Sequence, residues 1–305
     1  MIRRPPRSTL DRSSAASDVY KRQNQALIES LPEESFSEIT KAIHYSVMNG
    51  GKRLRPQLML LMADALKVDV SNKTIDLMAA AGELIHCYSL IHDDLPAMDD
   101  DDFRRGQLSC HKKFDEATAI LAGDAIQPLS LEILTSIEDD NLSDSTKSKI
   151  INVFAKACGP KGMVEGQNLD IKSESKNLNE DELDRIHFLK TGKLIEACIL
   201  SVCLLKKEIR EEEVEKLVEF SEKFGLAFQI RDDILDVIGN EQEIGKPVGS
   251  DQEKNKSTYA SVLGITKSQL KAEKLSKDAI DILISLPYET QRLEDLCKMI
   301  IERQA

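Results

Sequence analysis

The chain has no tryptophan, and its 5 tyrosines and 8 phenylalanines keep aromatic content at 4%. Strands draw on aromatic and β-branched side chains to cover a pleated face, so this scarcity, beside abundant Leu, Ile, Ala, Glu and Lys, favours packed amphipathic helices over sheets. An all-α protein is expected. The six cysteines (Cys87, Cys110, Cys158, Cys198, Cys203 and Cys297) form no CxxC pair and no zinc spacing, and they read as buried thiols of a protein in a reducing cytosol. The apolar run 197–205 is far too short to cross a bilayer, and no longer uncharged hydrophobic stretch occurs; a soluble, cytoplasmic protein without stable membrane insertion follows. A formal net charge of −12 leaves no broad basic surface for nucleic acid, so any bound anion must be met by a local site.

No Pro/Gly/Ser-rich linker divides the chain after residue 24, and its 305 residues can bury a sizeable core. A single helical domain over 24–305 is the economical reading. Residues 1–23 differ: basic, rich in Ser and Pro, and without apolar periodicity, they are expected to form a disordered, non-native leader. Asp11, Asp18 and the early prolines count against a transit peptide. Helical patterns cover 37–48, 74–92, 117–137, 145–158, 180–190, 194–205, 211–238, 267–286 and 288–303, with Arg55-Pro56 opening a further helix after Asn49-Gly50-Gly51.

The chemistry-bearing feature is HDDLPAMDDDDFRRG at 92–106, which packs six carboxylates into ten positions and ends in two arginines. Alone, such a run is more often a solvated helix end. A second motif, FGLAFQIRDDILDVIG at 224–239, changes the balance: Asp232 and Asp236 are four apart on one helix face, with Asp233 beside them, in an otherwise apolar segment. Carboxylates in such surroundings need a positive partner. With few histidines and no paired cysteines, the donors select a hard cation, Mg²⁺ first and Mn²⁺ as the alternative, and Mg²⁺ commonly bridges carboxylates to phosphates. The cations Lys52, Arg53 and Arg55 in GGKRLRP, Arg104 and Arg105 in FRRG, Lys190 in KTGK, Lys246 in GKP and Lys256 in NKSTY are each unremarkable singly. Jointly they suit a diphosphate.

In these motifs the sequence resembles the trans-isoprenyl diphosphate synthase family, most of all its bacterial-type farnesyl diphosphate synthases. DDLPAMD (93–99) matches the first aspartate-rich motif and DDILD (232–236) the second, with GGKRLRP before and KTG between. The resemblance implies an isoprenoid synthase helical bundle around a deep central cavity, with the motifs facing each other across its mouth, and a homodimer. It implies that Asp93, Asp99 and Asp232 ligate the metal, supported by Asp94, Asp233 and Asp236. It further implies that Arg104, Lys190, Lys246 and Lys256 meet an allylic diphosphate, while Lys52, Arg55, His86 and Arg105 bind isopentenyl diphosphate. Thr191 and Gln229 would present oxygen dipoles to an allylic cation, from which a lid would exclude water.

His86 lies seven residues before Asp93, two helical turns, so both face one side; a satisfied core histidine is the bland alternative. Gln167 and Asp170, in GMVEGQNLD, read as supports for the site. Tyr88, one turn before Asp93, sits where the family places the floor that limits product length, and a bulky aromatic there implies fifteen carbons; a core tyrosine without that role remains the alternative. A geranylgeranyl or geranyl synthase and a catalytically silent partner subunit are the neighbouring readings. The intact motifs oppose the silent subunit, and DDILD opposes a terpene cyclase, whose second motif mixes Asn, Ser and Glu. Two departures stand out: Arg231 replaces a neutral residue, and the leader occupies part of the family's first helix.

Overall fold

Side-chain caps mark the starts of six α-helices in the computed structural model, which describes residues 14–238 and 256–302. Ser37 and Thr40 form a reciprocal capping box that opens α2 (Glu38–Met48), preceded by α1 (Ser14–Ser30). α2 stops at Asn49, and Gly50 and Gly51 follow at φ 78° and 110°, a left-handed path that glycine adopts without penalty. α3 (Leu54–Leu66) carries Pro56 in its first turn, where no helical N–H bond is lost. Ser71 caps α4 (Asn72–Asp93), the helix that delivers the first aspartate motif. A two-strand hairpin follows, β1 (Phe103–Arg104) paired with β2 (Gln107–Leu108), turning at Arg105 (φ 54°) and Gly106 (φ 77°). Two successive positive φ values match the tight type I′ turn, whose twist suits antiparallel strands.

Beyond the hairpin come α5 (Cys110–Lys113), α6 (Glu116–Thr135), α7 (Asp144–Cys158), α8 (Met163–Ser173) and α9 (Glu180–His187). A π-helical turn, Phe188–Gly192, leads into α10 (Lys193–Cys203). α11 (Glu211–Ile238) carries the second motif, and α12 (Tyr259–Leu263), α13 (Ile265–Ile284) and α14 (Gln291–Glu302) complete the order.

The described residues form two compact units. In the first, residues 14–57 and 70–140, α4 packs along α6 and is flanked by α1 and α2. In the second, residues 58–69, 141–238 and 256–302, α11 packs along α13, and α10 lies against α7 and α11. None of the three boundaries in the described residues, at 57/58, 69/70 and 140/141, carries linker composition, which is why the sequence does not mark them.

Two expectations are corrected. Residues 14–23, expected to be unstructured, are helical: α1 buries Gln23, Ala26 and Leu27, and Arg22 binds Asp76 of α4 at 2.7 Å. Residues 1–13 of that leader lie outside the described residues, as does Lys246. The helix expected over 180–190 breaks at His187 into the π turn, where Gly166 lets α8 approach closely; a Cβ on Gly166 would lie 2.2 Å from the Lys190 backbone nitrogen. One helix, α6, is long and apolar enough to cross a membrane, with mean hydropathy 1.2 over an 18-residue window, although Glu116, Asp124 and Glu132 keep every uncharged run within it short. Its Ala119, Ala122, Gly123, Ile126 and Ile133 are buried, the pattern of a core helix, while Ile120, Leu121 and Leu131 are exposed. No disulfide joins the cysteines, and Cys158 is only half-buried because it ends α7.

The Gly166 approach predicts a sharp contrast. Gly166→Ala must push backbone against backbone and should destabilise the protein by about 2–3 kcal/mol in urea unfolding. Gly225→Ala, whose Cβ would meet its nearest neighbours at 3.4 Å, should change stability by less than about 1 kcal/mol. Equal effects would contradict the packing at Lys190.

Candidate active site

The acidic run is folded back on itself. Asp93 ends α4 and Asp94 caps it; the Asp99 N–H donates to the Asp93 carbonyl at 2.8 Å and the Asp101 N–H to the Asp94 carbonyl at 3.2 Å. Asp100 takes a left-handed φ of 50° within this turn. The turn sorts the carboxylates by depth: Asp94 is 2% exposed, whereas Asp93 and Asp99 are half-buried. Arg104, arriving on β1, reaches the buried Asp94 through Nε at 3.0 and 3.2 Å and through Nη2, and touches Asp101 at 3.3 Å. Burial lifts the Asp94 pKa above the usual carboxylate value while Arg104 opposes the lift. Burial alone would lower Arg104, but Asp94, then Asp101 and Asp93, raise it and keep it charged. Arg104, the first arginine after the acidic run, thus answers its buried member.

The basic residues of the same unit gather around His86. Burial, followed by Arg55, Arg105, Arg104 and Arg53, holds the His86 pKa well below its ordinary value, so the ring is neutral. The Gly50-Gly51 loop is stitched to the hairpin: Asn49 Nδ2 donates to the Arg104 carbonyl at 3.0 Å, and Arg105 Nη1 to the Gly50 carbonyl at 2.6 Å. Lys52 is half-buried and Arg55 buried in the adjoining turn. Arg53, noted in the sequence without a role, is 2% exposed at φ 48° and binds Glu83, a residue that sequence reasoning passed over inside an apolar helix. Tyr88 is buried, its ring edge-on to His92 at 6.0 Å between centroids.

The second unit repeats the sorting. On α11, Asp233 and Asp236 are 4% and 3% exposed, and Asp232 is half-buried. Thr191 donates to Gln229 Oε1 at 3.2 Å, Gln229 Nε2 to Asp233 Oδ1 at 2.9 Å, and the Tyr259 N–H to Asp233 Oδ2 at 3.0 Å. Tyr259 in turn donates to Asp184, which Lys271 also binds. Lys190 and Lys256 converge on one oxygen of Asp170, at 2.6 and 3.6 Å. Burial would lift the Asp170 pKa, but Lys190 and Lys256 outweigh it and hold it at about 2. Asp170 therefore spaces two cations. Gln167 is buried, with neither amide atom hydrogen-bonded, so its supporting role has no contact behind it. Arg231 is half-buried.

Mg²⁺ takes oxygen ligands and keeps several waters, and the half-buried carboxylates of Asp93, Asp99 and Asp232 fit that demand. Asp100, Asp102 and His111 also cluster within 4.8 Å, but Lys112 occupies Asp102 at 2.9 Å and Ser109 meets His111 Nδ1 at 3.1 Å.

A family model described as polyprenyl synthetase matches residues 36–292. The chain belongs to the polyprenyl synthetase family. It is 44% identical to a farnesyl diphosphate synthase of Escherichia coli, over 93% of this chain and 96% of that one. Among solved structures it resembles a geranyltransferase from Legionella pneumophila at TM-score 0.83 and 37% identity, covering 94% of this chain and 95% of the other. It also resembles a geranyltransferase from Helicobacter pylori complexed with magnesium and isoprenyl diphosphate, at TM-score 0.79 and 32% identity over 95% of each chain. The all-α isoprenoid synthase fold is shared with these enzymes.

His187 was not anticipated: it stacks on Tyr259 at 5.3 Å and lies 3.9 Å from Asp233. Burial, then Lys190 against the opposing Asp170, lowers its pKa to about 4 from 6.5. Between those values the unfolded chain takes up a proton that the folded one refuses, so stability falls as pH falls from 6.5 to 4. Asp170 extends the loss from 3.8 towards 2. The melting temperature of the metal-free protein should follow this course, with a shallower slope above pH 4 in His187→Gln; an unchanged slope would contradict the buried neutral ring.

Proposed function

We propose that this chain is a farnesyl diphosphate synthase: a Mg²⁺-dependent prenyltransferase that condenses isopentenyl diphosphate with dimethylallyl and then geranyl diphosphate. The observation that carries the reading is the division of each aspartate motif into buried, protein-bound carboxylates and half-buried ones, with basic side chains gathered in both units. Asp93 and Asp99 in the first motif, and Asp232 in the second, would be metal ligands; Asp94 and Asp233, tied to Arg104 and the Tyr259 N–H, and the buried Asp236 would support them. Bound to the allylic diphosphate, Mg²⁺ supplies positive charge that favours ionisation of the allylic carbon–oxygen bond. Mn²⁺ offers the same charge and ligand preference.

Arg104, Lys190 and Lys256, with Lys246, bind the allylic diphosphate as the leaving group. Lys52, Arg55, His86 and Arg105 hold isopentenyl diphosphate, His86 as a neutral N–H donor. Thr191 and Gln229, whose mutual hydrogen bond fixes the amide, turn their remaining lone pairs toward the allylic cation. The double bond attacks that cation, and the proton lost passes to the departing diphosphate. Tyr88 limits the chain to fifteen carbons. The exposed Ile120, Leu121 and Leu131 on α6 support a homodimer that covers this face, consistent with a cytoplasmic enzyme without a membrane span. The retained aspartates and cations oppose a silent partner subunit.

With Mg²⁺, dimethylallyl diphosphate and isopentenyl diphosphate, the wild type should yield a fifteen-carbon product, chelation should abolish turnover, and Tyr88→Ala should lengthen the product. A fifteen-carbon product from Tyr88→Ala would move the floor elsewhere; no product from folded wild type would refute the activity.

A further inference from the structure

Glu83 and Arg53 form a buried ion pair that the reaction as described does not use. Arg53 Nη1 donates to Glu83 Oε1 at 3.0 Å, and the two side chains are 1% and 2% exposed. The pair is not isolated. Arg53 Nη2 donates to the Val47 carbonyl at 2.6 Å, at the end of α2, and its Nε to Asn24 Oδ1 at 3.3 Å. The same Glu83 oxygen lies 3.9 Å from Arg105 Nη2, while Arg105 Nη1 holds the Gly50 carbonyl at 2.6 Å. The Arg105 guanidinium fills the space where Gly51 lacks a side chain: a Cβ there would sit 2.5 Å from Arg105 Cζ. His86, one turn after Glu83 on α4, feels Arg55, Arg105, Arg104 and Arg53 together.

Guanidinium groups crowded around one neutral ring repel one another, and in a desolvated setting that repulsion spreads them unless a fixed anion lies among them. Glu83 is such an anion. It is buried on a rigid helix and touches one arginine while lying within ion-pair reach of a second. Burial and Arg53 both press the Arg105 pKa down, and Glu83 opposes them.

We propose that Glu83 and Arg53 are positioning residues for isopentenyl diphosphate: the pair fixes the Gly50–Arg53 turn and aims Arg105 into the cradle it shares with Lys52, Arg55 and His86. This rests on the reading of those four residues as the isopentenyl diphosphate site. Neither Glu83 nor Arg53 touches the substrate; each acts through Arg105 and the backbone of the turn. The selectivity follows from geometry, because none of these contacts involves Lys190, Lys256 or the α11 aspartates.

Binding without turnover tests this, using isopentenyl diphosphate alone and, separately, the non-reactive thiolo analogue of dimethylallyl diphosphate with Mg²⁺, by calorimetry. The double variant Arg53→Met/Glu83→Met removes both charges of the pair together, so neither is left buried without the other. It should keep a melting temperature near wild type, bind isopentenyl diphosphate about tenfold more weakly, and bind the allylic analogue within about twofold of wild type. If that variant fails to fold, Glu83→Gln, which keeps the shape, should weaken isopentenyl diphosphate about threefold with the same selectivity. Undiminished isopentenyl diphosphate binding, or equal weakening of both ligands, would overturn the positioning role. A wild type that binds neither ligand would overturn the parent reading together with this one.

Discussion

A carboxylate withdrawn from water either finds a fixed hydrogen-bonding or cationic partner or gives up its charge, and this protein withdraws several. Asp94 takes Arg104; Asp233 takes the Gln229 amide and the Tyr259 N–H; Asp170 takes Lys190 and Lys256; Glu83 takes Arg53. The Tyr259, Lys190, Lys256 and Arg53 contacts join segments 20 or more positions apart within one unit, so the same contacts that satisfy buried charge also set the backbone around the site. Asp93, Asp99 and Asp232 remain near the surface, where a hydrated cation can reach them.

Much of the irregular backbone lies where the chemistry is. Of the five described non-glycine residues at positive φ, Arg53, Asp100 and Arg105 lie beside the first motif or the basic loop, while Lys67 and Ser175 follow the ends of α3 and α8. The π turn carries Lys190 and Thr191, shifting them relative to a continuous helix. Regular helices supply rigid walls, and these short departures aim the side chains. Gly51 and Gly166 are needed for the close approaches on which two of the departures depend.

The sequence revealed the helices well because their signals are local: Ser37 before α2, Asn179 before α9 and the apolar period of α11 stand in the text of the chain. The aspartates and most cations were equally legible through motif spacing. Several features were not, for stated reasons. The hairpin at 103–108 has only two residues per strand and no alternating pattern. The helix over residues 14–23 is masked by a polar composition, its anchor being Arg22 to the distant Asp76. Glu83 and His187 sit inside helical patterns, and their partners lie 30 and 46 positions away, a separation that no local period encodes.

The central claim is that depth divides the aspartates by task. Its most direct test pairs melting temperature with Mg²⁺-dependent turnover for Asp93→Asn and Asp232→Asn against Asp94→Asn and Asp233→Asn. The account predicts that the first two lose turnover by more than about a hundredfold with melting within about 2 °C of wild type. The second two should melt more than about 4 °C lower, because each leaves a buried donor poorly matched. Unfolding in the first pair with unperturbed melting in the second would contradict it.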